Sequence, residues 1–207
     1  GFIGSHVMAR LMSLGHEIDE WDEKINKPIK DFTCISRGQI PDIDYVIHLA
    51  AYADVRESIN EPQKYWDNNV TRTTEIQKFC YFYDIPLIYA SSSCVHDWHL
   101  SPYGMSKKIN EETALPNQIG LRFTTVYGDG ARDVMLLLIE KEMDGVTVLK
   151  PAYDIGTGEG VVVSDLGSLA GYDIDIKPGD KCEAFDNTAD ISDITKLGWM
   201  PKYNIIE

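Results

Sequence analysis

Apolar residues along the chain follow two patterns, short continuous runs and longer stretches of mixed polarity. The runs 44–51 (DYVIHLAA), 85–93 (IPLIYASSS) and 118–128 (QIGLRFTTVYG) are short and largely apolar, which is typical of strands buried on both faces of a parallel sheet. Between them, the stretches 61–84 and 101–114 predict helices. Strands that alternate with helices predict an α/β fold with a doubly wound, Rossmann-like parallel sheet.

The N-terminal stretch predicts a glycine turn, a helix, a strand and an acidic residue in that order. Gly1 and Gly4 precede an apolar-periodic helix that ends at Gly15, and residues 17–22 (EIDEWD) predict a short strand ending in Asp22. This order is typical of a dinucleotide fingerprint, in which the carboxylate accepts hydrogen bonds from the adenosine ribose. The alternative is a glycine turn that caps an ordinary helix. Under the fingerprint interpretation, about ten further residues, with the first strand and first glycine, are expected before Gly1.

Ligands of such folds bind beyond the carboxyl ends of the strands. The residues predicted at these ends are Gly1, Gly4, Asp22, Ala50, Ala51, Ser91–Ser93 and Thr125. Tyr103 and Lys107 lie four residues apart in the helix predicted at 101–114, so their side chains share one face. A neighbouring cation favours phenolate, which predicts that Tyr103 is a usable base near neutral pH. Taken alone, the pair also fits an ordinary exposed helix.

Composition narrows the class of ligand. The chain has 207 residues and a formal net charge of −14, which disfavours broad binding to nucleic acid or to an anionic membrane. An anionic ligand is therefore expected in a local pocket. No apolar run approaches the ~20 residues of a membrane span, and the four cysteines lack the spacing of a metal site. We expect a cytoplasmic protein without a metal, built from one domain with at most a small appendage.

Six motifs in a fixed order carry a family resemblance: GFIGSH, HLAA, NNV, YASSS, SPYGMSK and LRFTTVYG. Together they resemble the extended short-chain dehydrogenase/reductase family, in its nucleotide-sugar epimerase/dehydratase branch. The C-terminal stretches YDIGTGEGVVVSDL and DISDITKLGWMPKY are similar to the same branch. The resemblance covers nearly the whole chain. It implies an NAD-binding Rossmann-like domain at 1–128, without its first strand, and a small, mainly substrate-binding portion at 129–207 in which family segments are shortened or absent.

The resemblance assigns a set of residues to the cofactor. The pyrophosphate would lie at the helix N-terminus after Gly1 and Gly4, and Asp22 would favour NAD over NADP by repelling a 2′-phosphate. Lys107 would bind the nicotinamide ribose. Asn69 matches the family asparagine of NNV, with an exposed helix asparagine as the alternative. The full set expected at NAD is Gly1, Phe2, Ile3, Gly4, Asp22, Leu49, Ala50, Ala51, Asn69, Tyr103 and Lys107.

The catalytic residues implied by the resemblance are Ser92, Tyr103 and Lys107. Tyr103 would take the proton from a sugar hydroxyl while a hydride leaves the same carbon for NAD, and Ser92 would hydrogen-bond that oxygen. Ser93 is the alternative to Ser92, because consecutive serines leave the register open. Family dehydratases place an acid at one or both of the next two positions, which are Ser93 and Cys94 here. The resemblance therefore favours a 4-epimerase, which needs no such acid.

The predicted substrate is a nucleotide-diphosphate sugar. Thr125 and Arg132 resemble the threonine and arginine of UDP-glucuronate 4-epimerases, and a hydroxyl with a guanidinium fork suits a hexuronate carboxylate. The predicted substrate-binding residues are therefore Ser92, Ser93, Thr125 and Arg132. Arg132 could instead bind the diphosphate or lie at the surface. Arg56 is a weaker anion-binding candidate.

Two other functions stay open at this point. A nucleotide-sugar reductase, dehydrogenase or dehydratase of the same fold is one, and a non-catalytic protein that binds NAD without turnover is the other. The resemblance also implies a homodimer through the helices represented by 61–84 and 101–115. Core packing explains many of the aromatic residues in the first of these helices equally well.

Overall fold

The computed structural model describes residues 1–33, 43–126, 150–162, 165 and 178–202. The domain boundary predicted between residues 128 and 129 lies outside the described residues, and so does Arg132. No helix among the described residues is long and apolar enough to cross a membrane.

Within the described residues, four parallel strands form one sheet. They are β1 (Val46–His48), β2 (Leu87–Ser92), β3 (Gln118–Phe123) and β4 (Ala152–Ile155), and they lie side by side in that order. Most residues of β2 and β3 are buried, whichever face they occupy, which is expected of a parallel sheet covered by helices on both sides. The first three strands lie within the predicted runs, whereas β4 was not predicted as a strand.

Helices cover both faces of the sheet. They are α1 (Phe2–Ser13), α2 (Ile29–Phe32), α3 (Val55–Asn60), α4 (Pro62–Tyr65), α5 (Thr73–Phe82), α6 (Pro102–Glu112) and α7 (Ser192–Lys196). One apolar core contains Val7 of α1, Ile194 of α7 and the strand residue Leu121. The other core contains Phe79 of α5 and Tyr89 of β2. The prediction of a Rossmann-like α/β fold with a parallel sheet is therefore confirmed.

The long helix predicted at 61–84 is three segments. A π-helical stretch, Trp66–Arg72, separates α4 from α5. Asn69 lies in the middle of this stretch, and its side-chain amide binds the backbone of Tyr52. π-helical turns are rare and often occur near functional sites. A pattern of polar and apolar residues predicts a helix but does not distinguish this wider turn from an α-helix.

The strand predicted at 17–22 is not formed, because residues 16–22 have no regular secondary structure. A strand needs a neighbour that completes its backbone hydrogen bonds, and no described strand lies beside this segment. Asp22 instead caps a 3₁₀ turn, accepting a hydrogen bond from the backbone N–H of Lys24 at 2.9 Å. The predicted end of α1 is close to the observed one, and Gly15 adopts φ +87°, a conformation that glycine adopts without strain.

Candidate active site

A cavity of about 1590 Å³ lies at the carboxyl ends of β1, β2 and β3. Its volume exceeds the ~300–1,000 Å³ of an ordinary small-molecule pocket, and its lining extends beyond the strand ends along α1 and the segment 15–22. The predicted site residues that line it are Gly1, Phe2, Ile3, Gly4, Asp22, Leu49, Ala50, Ala51, Ser92, Ser93, Tyr103, Lys107 and Thr125. Residues from distant parts of the sequence therefore meet at the predicted edge of the sheet.

The start of α6 is fixed by its local sequence. Ser101 caps the helix by accepting a hydrogen bond from the Gly104 N–H at 3.0 Å, and Pro102 occupies the first turn. A Cβ on Gly104 would lie 3.0 Å from the Cys94 carbonyl oxygen, so glycine permits the close approach of α6 to the turn after β2. Ser58 of α3 accepts a hydrogen bond from the Tyr103 N–H at 3.2 Å. These contacts hold the first turn of α6, and Tyr103 with it, against two other elements.

Lys107 is buried against β2. Its Nζ donates a hydrogen bond to the Ala90 carbonyl oxygen at 2.7 Å. Lys107 as a whole is only 4% exposed. Burial lowers the pKa of Lys107 to about 8, because the ammonium loses its hydration. The Nζ lies 5.9 Å from the centroid of the Tyr103 ring.

The pKa of Tyr103 moves in the direction opposite to the one predicted from the sequence. Burial raises it, and the side-chain hydrogen bond with Ser92 lowers it by less. Burial penalises the phenolate, while the Lys107 ammonium is bound to Ala90 rather than to the phenol oxygen. The pair alone therefore does not make Tyr103 a base near neutral pH.

The three serines at the end of β2 have different partners. The Ser92 hydroxyl accepts a hydrogen bond from the Cys94 N–H at 3.2 Å and interacts with the Tyr103 phenol. Ser93 donates to Asn187 Oδ1 at 2.9 Å. This geometry favours Ser92 over Ser93 as the partner of Tyr103, although the catalytic assignment itself stays a prediction.

Asn187 lines the same cavity, and it is a residue that the sequence analysis missed. It lies 94 positions from Ser93, the residue it contacts. Contacts of this kind depend on how the C-terminal segment returns to the sheet, and no local spacing pattern signals them.

The wall of the cavity formed by α1 fits a dinucleotide. Gly1 N lies 3.8 Å from the Asp22 carboxylate, so the glycine turn and the acidic residue are together as the fingerprint requires. A Cβ on Gly1 would meet nothing within 4 Å, and one on Gly4 would meet only Leu49 Cδ1 at 3.9 Å. This leaves open space at the N-terminus of a twelve-residue helix, where free N–H groups favour a pyrophosphate.

Asn69 lies behind the cavity lining. It is 1% exposed, which excludes the alternative of an exposed helix asparagine. Its Oδ1 accepts from the Tyr52 N–H at 3.0 Å and its Nδ2 donates to the Tyr52 carbonyl at 2.9 Å. Asn69 therefore holds the loop that follows Ala50 and Ala51, and its predicted contact with the cofactor stays a prediction.

Thr125 and Arg56, two further candidates for substrate binding, differ in their surroundings. Thr125 is exposed and lines the cavity. Arg56, the weaker anion-binding candidate, is already paired, because its Nε and Nη2 lie 2.9 and 2.8 Å from Glu183 Oε1. The structure therefore favours Thr125 over Arg56 as a group available to a ligand.

Comparison with known proteins agrees with this architecture. Residues 1–151 match the model of the NAD-dependent epimerase/dehydratase family. The chain is 22% identical over 318 residues to the bifunctional UDP-glucose 4-epimerase and UDP-xylose 4-epimerase 3 of Arabidopsis thaliana, with 100% of this chain and 90% of that protein covered. Because the alignment is longer than the 207-residue chain, the plant protein has segments without a counterpart here.

Two solved structures have the same fold over the whole chain. One is MoeE5 in complex with UDP-glucuronic acid and NAD, with a TM-score of 0.73, 20% identity and coverage of 100% of this chain and 93% of that chain. The other is the UDP-glucose 4-epimerase of Thermus thermophilus in complex with NAD, with a TM-score of 0.70, 19% identity and coverage of 100% and 94%. The chain therefore belongs to the NAD-dependent epimerase/dehydratase family, which confirms NAD as the predicted cofactor.

Proposed function

We propose that this protein is an NAD-dependent 4-epimerase of nucleotide sugars, acting on a UDP-hexose or UDP-hexuronate. The observation that carries the proposal is that Ser92, Tyr103 and Lys107 line the same cavity as the glycine turn and Asp22. A hydroxyl, a phenol and an ammonium next to a dinucleotide site are the groups needed to remove and return a proton on a sugar hydroxyl.

The chain's own residues divide the work on the substrate. Tyr103 removes the proton from the C4 hydroxyl and returns it at the end of the turnover, and Ser92 hydrogen-bonds the same oxygen. Lys107 contributes a positive charge that offsets part of the penalty that burial places on the Tyr103 phenolate, and it orients the ribose of the nucleotide. The N-terminus of α1 and Asp22 would hold NAD, which would supply reversible hydride transfer at C4, so no net oxidation would result.

The acids of the cavity favour epimerisation over dehydration. Within the described part of the chain, the acidic residues that line the cavity are Glu17, Asp19, Glu20, Asp22 and Asp44. All come from the segment 17–44, and none comes from β2, the turn after it or α6. The positions after Ser92 hold Ser93 and Cys94, so no carboxylate is available there to protonate a leaving hydroxyl.

UDP-glucuronate is the first substrate that we propose. Thr125 offers a hydroxyl to the cavity, and Arg132, outside the described residues, supplies the guanidinium in this proposal. MoeE5, which shares the fold, was solved with UDP-glucuronic acid and NAD and also with UDP-glucose and NAD. The plant and Thermus relatives are named for UDP-glucose, so UDP-glucose is the competing substrate.

The test is proton NMR of the anomeric region after incubation with NAD and one nucleotide sugar at a time. UDP-glucuronate, UDP-glucose and UDP-N-acetylglucosamine are compared, and Tyr103→Phe is the inactive control. We expect a UDP-galacturonate signal from the first, absent with the variant. A product from UDP-glucose alone would contradict the hexuronate assignment, and NAD binding without any product would favour the non-catalytic alternative. Stoichiometric change at the nicotinamide absorbance band would instead indicate a reductase or dehydrogenase.

We also propose that the protein is a homodimer that uses the π-helical stretch, α5 and α6. Trp66, Tyr81 and Phe82 are 47%, 56% and 67% exposed, while Tyr65 and Phe79 are buried. The aromatic residues thus divide between a core set and an exposed set that a second copy can cover. Light scattering during size exclusion should give twice the mass of the chain, and a monomeric mass would contradict the proposal.

A further inference from the structure

A row of polar side chains crosses the sheet on the face covered by α6. Ser91 of β2, Arg122 of β3 and Asp154 of β4 are register neighbours, so they share one face of the sheet. Glu111 of α6 lies directly against them. We refer to Ser91, Arg122 and Asp154, together with Glu111 and His96, as the network.

Glu111 is held by both of its oxygens. Its Oε1 accepts hydrogen bonds from Ser91 Oγ at 2.6 Å and from Arg122 Nε at 2.8 Å, and its Oε2 accepts from Arg122 Nη2 at 2.7 Å. The Glu111 side chain is only 8% exposed, so little water competes for it. Arg122 Nη1 lies 3.5 Å from Asp154 Oδ1, and His96 Nε2 lies 3.2 Å from the same oxygen. The network thus extends from α6 across three strands to the turn that follows Ser92.

The network fixes α6 along β2. Glu111 lies one helical turn after Lys107 and on the same face. Lys107 binds the Ala90 carbonyl and Glu111 binds the Ser91 hydroxyl, which are consecutive residues of β2. The next residue of β2 is Ser92. A shift of α6 along the strand would break both contacts and move Tyr103 relative to Ser92.

We propose that Glu111 and Arg122 are positioning residues that set the placement of Tyr103 on α6 relative to Ser92 on β2. This proposal rests on the proposed function and adds to it the residues that position Tyr103. A buried ion pair adds little net stability compared with apolar residues of similar volume. Its two-point geometry nevertheless fixes a position, because a guanidinium fork meets a carboxylate in one orientation. Displacement of a catalytic group by about 1 Å is enough to slow a reaction about 100-fold.

The experiment separates positioning from stability. Glu111→Leu and Arg122→Met are made singly and together, and kcat, KM and thermal unfolding are measured with the nucleotide sugar that the wild type turns over. Arg122→Met leaves the buried Glu111 carboxylate without its ion-pair partner, and Glu111→Leu leaves Arg122 with only the more distant Asp154. Each single variant is therefore expected to unfold at a lower temperature. The double variant should regain most of the wild-type stability, while its kcat stays about 100-fold lower and its KM changes less than about threefold.

The matched control is the exposed ion pair on the same helix, Lys108 with Glu112, whose atoms lie 2.7 Å apart. The double variant Lys108→Met/Glu112→Leu should keep the wild-type kcat. If kcat recovers together with stability in Glu111→Leu/Arg122→Met, the network has only a structural role and the proposal is overturned.

A second readout needs no turnover. In NAD-bound protein with ¹³C-labelled tyrosine rings, the Tyr103 signal is assigned by its loss in Tyr103→Phe. It should move in Glu111→Leu/Arg122→Met and not in Lys108→Met/Glu112→Leu. An unmoved Tyr103 signal in the first double variant overturns the positioning proposal. A wild type that converts no nucleotide sugar overturns the proposed function, while this signal still decides the positioning of Tyr103.

Discussion

The cavity has two walls that are built in different ways. The catalytic wall, formed by the end of β2 and by α6, contains Ser92, Tyr103 and Lys107, which are 6%, 8% and 4% exposed. The cofactor wall, formed by the start of α1 and by Asp22, consists of backbone, open space and a carboxylate whose side chain is 32% exposed. The first wall is arranged by bonds among its own residues, whereas the second is shaped to receive a ligand.

The two walls are therefore expected to respond differently to substitution. A change on the catalytic wall alters the chemical step or the stability of the fold, because its groups are buried and bonded to each other. A change on the cofactor wall alters nucleotide affinity, because few other residues depend on its groups. Single substitutions on each wall test this contrast, with expected effects that range from about 4 down to about 1.4 kcal/mol, where a factor of ten corresponds to about 1.4 kcal/mol.

Tyr103→Phe is expected to have the largest effect. Loss of a general base typically slows a reaction by about 10²–10⁴, so kcat should fall about 10³-fold, or about 4 kcal/mol in the barrier. The Tyr103 phenol interacts with Ser92, and loss of one such contact should change the free energy of unfolding by less than about 1 kcal/mol. Steady-state kinetics and chemical denaturation measure the two quantities. Tyr81→Phe, at a 56% exposed tyrosine, is the control, and a Tyr103→Phe loss below about tenfold would contradict the assigned role.

Ser92→Ala and Ser93→Ala form a pair that resolves the register of the serines. Ser92 interacts with the Tyr103 phenol, while Ser93 donates to Asn187. Ser92→Ala should lower kcat about 100-fold, or about 2.7 kcal/mol, which is typical of losing one donor at a reacting oxygen. Ser93→Ala should change kcat by less than about threefold. The reverse order of effects, measured with the same substrate, would transfer the catalytic role to Ser93.

Lys107→Met should make the protein more stable at neutral pH. The pKa of Lys107 is about 8 in the folded protein, against an ordinary value of 10.5, so burial of the charge costs about 3 kcal/mol at pH 7. The variant loses the hydrogen bond to Ala90, worth about 1 kcal/mol, which leaves a net gain of about 2 kcal/mol.

The pH dependence of this gain in stability shows whether the buried charge of Lys107 is its cause. Below pH 8 both states of the wild type are protonated, and the full cost is present. Between about 8 and 10.5 the unfolded chain binds the proton that the folded protein has released, so wild-type stability rises with pH. The advantage of Lys107→Met, measured by denaturation at fixed NAD concentration, should therefore shrink over this range. A constant difference, or the same trend in Lys108→Met, would rule out the burial of Lys107 as the cause.

The parts of the site that could be predicted from sequence are those set by local contacts. The helix containing Tyr103 and Lys107 is specified by Ser101, Pro102 and the spacing of four, all within one short segment. The fold class was equally accessible, because the strands β1, β2 and β3 lie within continuous apolar runs.

The missed features depend on contacts between distant residues. The pairing of Glu111 with Arg122 requires the register of β2 and β3, and the contact of Ser93 with Asn187 spans 94 residues. The pKa of Tyr103 was predicted in the wrong direction, because the spacing of Tyr103 and Lys107 says nothing of how deeply both are buried. The segment 17–22 was predicted as a strand but has no described neighbour to pair with.

Asp22→Asn is expected to have the smallest effect, because it changes the wall that receives the ligand. The amide oxygen still accepts the Lys24 N–H that Asp22 now binds, so the local turn and the stability of the fold should be retained. Loss of the charge should weaken NAD binding about tenfold, or about 1.4 kcal/mol, and strengthen NADP binding, because the repulsion of a 2′-phosphate is removed. Calorimetric titration with NAD and with NADP measures the ratio of the two affinities. Glu23→Gln makes the same charge change one residue further on, at a side chain that does not line the cavity, and it should leave the ratio unchanged. If Asp22→Asn instead lowered kcat while NAD affinity stayed constant, the division of the cavity into a catalytic and a cofactor wall would be wrong.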